Sequence, residues 1–393
     1  MNVLQISESD AGGGAARTAL RLHRELRRSG HAARMLVGRR QTADGDVRLL
    51  KRGPGWRAAD RACSSLLDPL GLQYVLYPSS FGVAGDPWFR QADVVQLHNT
   101  HGSYFSHTAL PFLSRRKPVV WFLHDQWALT GHVAYSLDCE RWRHGCGSCP
   151  YLAEYPALPR DTSAALWRWK RTVYRHARLT LVTPSRWLAQ LAGESPLLRR
   201  FRIEVVPNGV DLSVFRPAPR PTDRPTVLFA AADLADRRKG ASVLREALAR
   251  LGDLDFDLAV AGGRPPDLGR PVRALGRLDE PGMAAAYAAA DVFVLPSLAE
   301  NLSNALVEAL ACATPCLAFD VGGNPDLVRH GNTGLLVPPG DAGALAASLR
   351  RLLSDAELRG RLGDGARRLA ERELSIELQA RRLAALYGEL LAG

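Results

Sequence analysis

The stretch SLAENLSNALVEALACATP, residues 297–315, sets the carboxylates of Glu300 and Glu308 on either side of a helix start. Ser303 is a good helix-capping residue, so the helix is expected to begin near Asn304 and to aim its first unbonded N–H groups back toward Glu300. Such a helix start suits phosphate. Glu300 would stand beside the phosphate, while Glu308, one turn in, is placed to accept hydrogen bonds from hydroxyls. Acceptors flanking an anion site fit a ligand with both phosphates and hydroxyl pairs, which describes a nucleotide joined to a sugar. The plainer explanation is one acid favoured by the helix macrodipole and a second, solvated glutamate. On this segment alone the plainer explanation is the stronger.

Other residues able to do chemistry stand at comparable places. Arg237, Arg238 and Lys239 in ADRRKG follow the apolar run TVLFAAA and open a helix. Cations there would stabilise negative charge developing on a phosphate leaving group. SDAGGGAAR sets Gly12, Gly13 and Gly14 between a strand and a helix, where glycine lets the backbone come close to a ligand. The spacing is not G-x-G-x-x-G, and the second strand ends in VGRR and not in an acid, which argues against a dinucleotide-binding dehydrogenase. His124 and Asp125 close the run WFLHD, His98 and His101 close VVQLHNTH, and Ser185 lies in TPSRW. A histidine at a strand end is commonly a hydrogen-bonded structural residue, so His124 leads this group.

TGHVAYSLDCERWRHGCGSCP, residues 130–150, holds Cys139, Cys146 and Cys149, with a C-x2-C knuckle. His132 or His144 could complete a four-ligand structural zinc site. Reduced packing cysteines are the alternative.

These residues need elements to position them. MNVLQIS reads as a buried strand, AARTALRLHRELRRSG as an amphipathic helix closed by Gly30, and ARMLVG as a second strand, which makes a β-α-β unit. Further apolar runs at 93–99, 118–125, 179–185 and 201–207 continue the alternation, which implies a parallel sheet covered on both faces. The proline-rich stretch 215–225 reads as a stiff linker. The alternation restarts after it, through TVLFAAA, FDLAVAGG, VRALG, DVFVLPS, CLAFDVGG and GLLVPPGD, and the chain closes on helices. The fold class is therefore α/β, with two doubly wound domains facing across a cleft and ligands expected outside the carboxyl ends of the strands.

At 393 residues, with 46% hydrophobic and 23% charged residues, the chain can bury two cores. The net charge of +11 suits an anionic partner, but lysine occurs only at 51, 117, 170 and 239, and the arginines are scattered over solvent-facing helix positions. That pattern is permissive for a membrane surface and weak for nucleic acid, and no nucleic-acid motif occurs. No apolar run is long enough to span a bilayer, and the first residues turn polar too soon for a signal peptide. A cytoplasmic, reduced protein is expected.

The order E-x7-E, then NALVEALACATPCLAFDVGGNPDLV and HGNTGLLVPPGD, resembles the nucleotide-binding half of the retaining GT-B glycosyltransferases of family four, and the resemblance extends over nearly the whole chain. It implies two Rossmann-like domains, an acceptor-side one over 1–212 and a nucleotide-sugar-binding one over 213–372, with the closing helix 373–393 returning to the first. It implies a sugar moved from a nucleotide-sugar donor, a UDP- or GDP-sugar, to a hydroxyl of a glycan, lipid-linked or natural-product acceptor. A peripheral contact with the inner face of the cytoplasmic membrane is expected, and no cofactor for catalysis. By resemblance Glu300 binds the transferred sugar, Glu308 takes the ribose diol, and backbone around Asn301, Leu302, Ser303, Asn304 and Ala305 holds the distal phosphate. Lys239 with Arg238 or Arg237 neutralises the diphosphate, Gly12 to Gly14 form a loop near it, and His124 contacts the reacting sugar. His98, His101, Asp125 and Ser185 lie on the sugar or acceptor side. The cysteine loop is similar to that of a colanic-acid-type subgroup, with Val133 where the subgroup has its first cysteine. The alternatives are a nucleotide-sugar epimerase or a phosphorylase of the same fold, or a catalytically silent nucleotide-sugar-binding protein.

Overall fold

The structure, a computed structural model, describes residues 1–50, 53–219 and 224–393. Of the proline-rich stretch read as a linker, residues 220–223 lie outside the described residues. The chain divides into two compact units, one made of Met1–Val206 with Ala380–Gly393, the other of Pro207–Gln379.

The first unit is built on seven strands: β1 (Asn2–Ser9), β2 (Ala32–Arg39), β3 (Val47–Leu49), β4 (Val94–Leu97), β5 (Val119–Phe122), β6 (Thr180–Thr183) and β7 (Arg202–Val205). They are ordered β3-β2-β1-β4-β5-β6-β7, and every pairing is parallel. Strands β4, β5 and β6 are buried along their whole length, as their unbroken apolar runs require when both faces are covered. On one face Val3, Val94, Val120, Phe122 and Val182 pack with Leu22 and Leu26 of the helix Gly14–Arg28 and with Leu383, Leu386 and Tyr387 of the last helix. The Tyr387 hydroxyl also donates to Gln96 Oε1, a polar group buried in β4.

The second unit repeats the plan with β8 (Thr226–Ala231), β9 (Asp257–Gly262), β10 (Arg273–Gly276), β11 (Val292–Leu295), β12 (Cys316–Phe319) and β13 (Gly334–Val337), ordered β10-β9-β8-β11-β12-β13 and again parallel throughout. In each sheet the order reverses direction once, at β1/β4 and at β8/β11. These are the switch points beside which loops diverge and leave a crevice at the carboxyl ends.

The elements not expected from the sequence include the short β3 and the helix Pro54–Leu67. The first is an edge strand of three residues, too short to show alternation. The helix buries only Asp60 and leaves its large apolar residues Trp56 and Leu66 exposed, so its pattern does not mark a core-facing side.

Candidate active site

In the second unit the switch point is formed by the turn after β8 and the loop after β11. Gly240 joins the two. It has φ +70°, and a Cβ there would lie 1.8 Å from the Pro296 carbonyl oxygen, so only glycine lets the turn sit against the end of β11. Leu298 N–H donates to the Arg238 carbonyl at 2.7 Å and fixes the same contact. On the other side Gly322, with φ +56°, packs its Cα against the Glu300 carbonyl, and Gly323 N–H donates to the Asn301 carbonyl at 2.8 Å.

Held this way, Lys239 Nζ donates to Glu300 Oε1 at 2.5 Å. The carboxylate side chain is 7% exposed and the ammonium 22%, so the pair is half withdrawn from water, with the lysine on the open side. Arg238 is turned to Asp236, which accepts from both its backbone N–H and its guanidinium, while Arg237 is exposed. The sequence left open which arginine accompanies Lys239. Arg238 is ion-paired within its own turn, and Arg237 extends from it.

The helix Asn304–Ala311 follows Ser303, whose backbone has the extended cap conformation but whose side chain makes no capping hydrogen bond. The Ser303 hydroxyl therefore does not cover the start of this helix. Asn304 is anchored by its Oδ1, which accepts from Asn208 Nδ2 at 2.8 Å. Asn301 and Ser303 are buried, and Leu302 packs its side chain into the core, which leaves its backbone for any ligand contact. Glu308 is only 1% exposed and accepts from the Tyr287 hydroxyl at 3.3 Å. This overturns the plainer explanation of Glu308 as a solvated surface acid, since a carboxylate is rarely withdrawn from water without a purpose.

In the first unit the candidates gather at the ends of β1, β4 and β5. Gly12 has φ +103°, and Gly13 stands at the start of the helix Gly14–Arg28 with no side-chain cap. His98, fully buried, and His124, half-buried, stack with ring centroids 5.3 Å apart and join through Nδ1 of His98 and Nε2 of His124 at 3.0 Å. Burial, with the neighbouring imidazole, holds His98 well below the ordinary histidine range, and burial holds His124 at about 4. Both rings are neutral at pH 7. Asp125 accepts from His101 Nε2 and from Trp127 N–H, each at 2.9 Å. Burial pushes its carboxyl up, but His101, by charge and hydrogen bond, and the Trp127 N–H bring it below the usual carboxylate range. His101 Nδ1 meets the Tyr155 hydroxyl at 3.2 Å. Ser185 does not line this cluster with a spare hydroxyl: it is fully buried, and it caps the helix Arg186–Glu194 by accepting from Leu188 N–H at 3.2 Å.

Among the described residues no three His, Cys, Asp or Glu side chains are arranged to hold a metal. His132 Nδ1 donates to the Pro156 carbonyl at 2.9 Å, so its bare Nε2, 3.3 Å from Cys149 Sγ, receives the thiol proton. Cys146 Sγ accepts from Gly131 N–H at 3.2 Å, and burial pushes its thiol up to about 11. His144 is exposed, and Cys139 joins no such group. Burial raises the thiols of Cys146 and Cys149, which as packed here are protonated.

Sequence reasoning missed several residues here. Gln5 lies buried in the middle of β1, with Nε2 3.1 Å from His98 Nε2. Lys170, fully buried, donates to the carbonyls of Trp127 at 2.5 Å and Thr130 at 3.1 Å and lies 3.5 Å from the centre of the Trp127 ring. It thereby fixes the loop that follows Asp125. Gln5 was detectable as a polar residue inside the apolar run VLQIS, where burial demands a partner. Lys170 was not, because WRWKR reads as a solvated helix face.

Comparison with known proteins gives this arrangement a class. Sucrose-phosphate synthase from Thermosynechococcus elongatus has the same fold, with a TM-score of 0.71 and 21% identity over 100% of both chains. Anabaena HepE, solved with UDP, gives 0.69 and 18% over 99% of this chain and 100% of that one. The fold is that of the GT-B glycosyltransferases. Residues 12–214 match the family described as Glycosyltransferase Family 4, and residues 224–355 match the one described as Glycosyl transferases group 1. A D-inositol 3-phosphate glycosyltransferase of Streptomyces bingchenggensis is 31% identical over 74% of this chain and 71% of its own length. Escherichia coli K12 WcaC, described as a putative colanic acid biosynthesis glycosyl transferase, is 28% identical over 81% and 83%. The chain belongs to glycosyltransferase family 4, and it is an enzyme that transfers a sugar. Among the described residues no helix is long and apolar enough to cross a membrane.

Proposed function

We propose that the enzyme takes a nucleotide sugar, a UDP- or GDP-sugar, and transfers its sugar with retained anomeric configuration to an acceptor hydroxyl, without a catalytic metal. The observation that carries this reading is the Lys239–Glu300 pair at the carboxyl ends of β8 and β11, beside a helix start that the Ser303 side chain leaves uncapped and above the buried carboxylate of Glu308. A UDP-sugar is the first donor to test, because HepE was solved with UDP and with UDP-glucose. WcaC and the D-inositol 3-phosphate enzyme, by their names, support a polysaccharide or a phosphorylated small-molecule acceptor.

On this reading the diphosphate lies against the backbone from Asn301 to Ala305, with the glycine turn Gly12–Gly14 also serving it. Lys239, with Arg237 or Arg238, carries the charge that grows on the diphosphate as its bond to the sugar breaks. Pre-placed cations and helix N–H donors at a developing anion are an effective source of rate acceleration, and they supply what a divalent ion supplies elsewhere. Glu300 accepts from sugar hydroxyls and holds Lys239 in place, and Glu308 accepts from the ribose diol. The acceptor oxygen bonds to the sugar on the face that the phosphate leaves, and the proton of that hydroxyl passes to the departing phosphate oxygen, so no protein nucleophile takes part. His124 borders the reacting sugar, with Asp125 and His101 beside it. Any contact with the membrane is peripheral.

The test combines calorimetry with UDP, GDP and their glucose and mannose conjugates, and an acceptor screen in which the anomeric configuration of the product is read by NMR. A chelator should leave transfer unchanged. Inverted product, or full transfer by both Glu300→Ala and Lys239→Ala variants, would overturn the reading.

A further inference from the structure

The buried chain Gln5–His98–His124 fixes the position of two protons. Gln5 Nε2 is 3.1 Å from His98 Nε2 and 3.4 Å from the carbonyl oxygen of Ala19. A carbonyl only accepts, so the end of the Gln5 amide that faces both atoms must be the NH2, which only donates. As placed, the amide leaves only its buried Oε1 without a donor; rotating it by 180° would leave the buried NH2 without an acceptor and also set its oxygen against the Ala19 oxygen, the costlier of the two arrangements. His98 Nε2 is therefore the bare nitrogen, and the His98 proton sits on Nδ1. That N–H faces His124 Nε2 at 3.0 Å, so His124 Nε2 accepts and its own proton sits on Nδ1. The rings are held for this exchange: Phe122 stacks on His98 and on His124 at 5.9 and 4.8 Å, and Trp121 Nε1 donates to the His98 carbonyl at 3.2 Å. His98 and Gln5 are fully buried, whereas His124 keeps part of its surface open, and its Nδ1 has no protein partner among the described residues.

We infer that Gln5 and His98 are positioning residues that lock His124 as the Nδ1–H tautomer, which makes His124 a hydrogen-bond donor to an oxygen of the bound ligand and not a proton acceptor. The inference rests on the reading above that His124 borders the sugar. Two neutral imidazoles in series pass on the polarity that the glutamine sets, as a second shell commonly does for a functional histidine. Burial supports the arrangement by keeping both rings neutral. The groups near His124 do not compete for its proton, because Asp125 is committed to His101 and to the Trp127 N–H. A ligand is then selected for an acceptor oxygen opposite Nδ1.

The experiment is long-range proton–nitrogen NMR on the full chain labelled with 15N-histidine, assigned with His98→Gln and His124→Ala, which reports the protonated nitrogen of each ring and needs no substrate. The expected result is Nδ1–H for both. In Gln5→Leu, which removes the donor at His98 Nε2, both rings should become tautomer mixtures. UDP-glucose turnover should fall tenfold or more in kcat with little change in KM, and Gln5→Leu should add no further loss in a His124→Ala background. A wild-type His124 protonated on Nε2, tautomers unchanged in Gln5→Leu, or fully additive losses in the double variant would each overturn the relay. If the spectra show Nδ1–H on both rings while His124→Ala turns over UDP-glucose at the wild-type rate, the placement of His124 at the sugar is what fails.

Discussion

Glu300 and Glu308 have similar chemistry and different tasks, and their surroundings separate them. Glu300 is bonded to a cation that faces the open side of the turn, whereas Glu308 is buried beneath the helix start and accepts from the Tyr287 hydroxyl. Replacing Lys239 by alanine removes the charge that balances the leaving diphosphate. The expected loss is about a hundredfold to a thousandfold in kcat, about 3–4 kcal/mol of transition-state stabilisation, with a smaller change in KM. Single-turnover assays with UDP-glucose check it, and an effect confined to KM would contradict the role. Glu308→Gln keeps shape and volume but weakens acceptance from a diol. UDP should bind this variant about tenfold more weakly, about 1.4 kcal/mol, and 2′-deoxy-UDP should bind variant and wild type nearly alike. Calorimetry on the four combinations decides whether Glu308 reads the ribose.

The elements of the sheets were legible because parallel strands covered on both faces must be written as apolar runs, and TVLFAAA, DVFVLPS and PVVWF are such runs. From them the ends of β8, β11 and β5 followed, and with them the places of Lys239, Glu300 and His124. What could not be read was non-local: the contact of Asn208 with Asn304, the relay from Gln5 to His98, and the segment after Asp125, which is held by Lys170 and backbone contacts and not by regular structure. The close fit of the turn after β8 against the end of β11 belongs to the same class, because a glycine in sequence does not say what its missing Cβ would strike. In Gly240→Ala a methyl group would meet the Pro296 carbonyl at a strained φ of +70°. The turn must shift, so stability should fall by more than about 1 kcal/mol and UDP affinity should fall with it, as Lys239 moves away from Glu300. Gly360→Ala, in the helix Ala356–Glu373 with open space around it, is the control and should gain up to about 1 kcal/mol with UDP binding unchanged. Urea titrations and calorimetry on the two variants separate the site-specific strain from a generic effect of adding a methyl group.

The whole molecule carries its histidines unevenly. Of the ten, only His330 lies in the second unit, and the first unit buries His23, His98, His101, His107 and His132 and half-buries His124. Burial lowers His23 and His124 to about 4 and holds His98 and His107 well below the ordinary value. For a histidine lowered by folding, the unfolded chain takes up the proton first. Its contribution to stability is full above the unfolded value near 6.5 and shrinks as the pH falls through that value, until the folded group also titrates. Each such group removes about 1.4 kcal/mol per pH unit in that window. The lowered carboxyls, such as Asp125 and Asp253, change nothing between pH 7 and 5, since their losses come at lower pH. Acidification should therefore weaken the first unit and leave the second almost unaffected. All eight tryptophans, from Trp56 to Trp187, lie in the first unit, so their fluorescence reports that unit alone. The urea midpoint seen by tryptophan should drop steeply from pH 7 to pH 5, while hydrogen exchange of β8, β11 and β12 keeps its pH 7 protection once the intrinsic rate is corrected. Equal loss in both units would mean that their unfolding is one cooperative step, and an unchanged tryptophan midpoint would mean that these histidines are not buried as neutral groups.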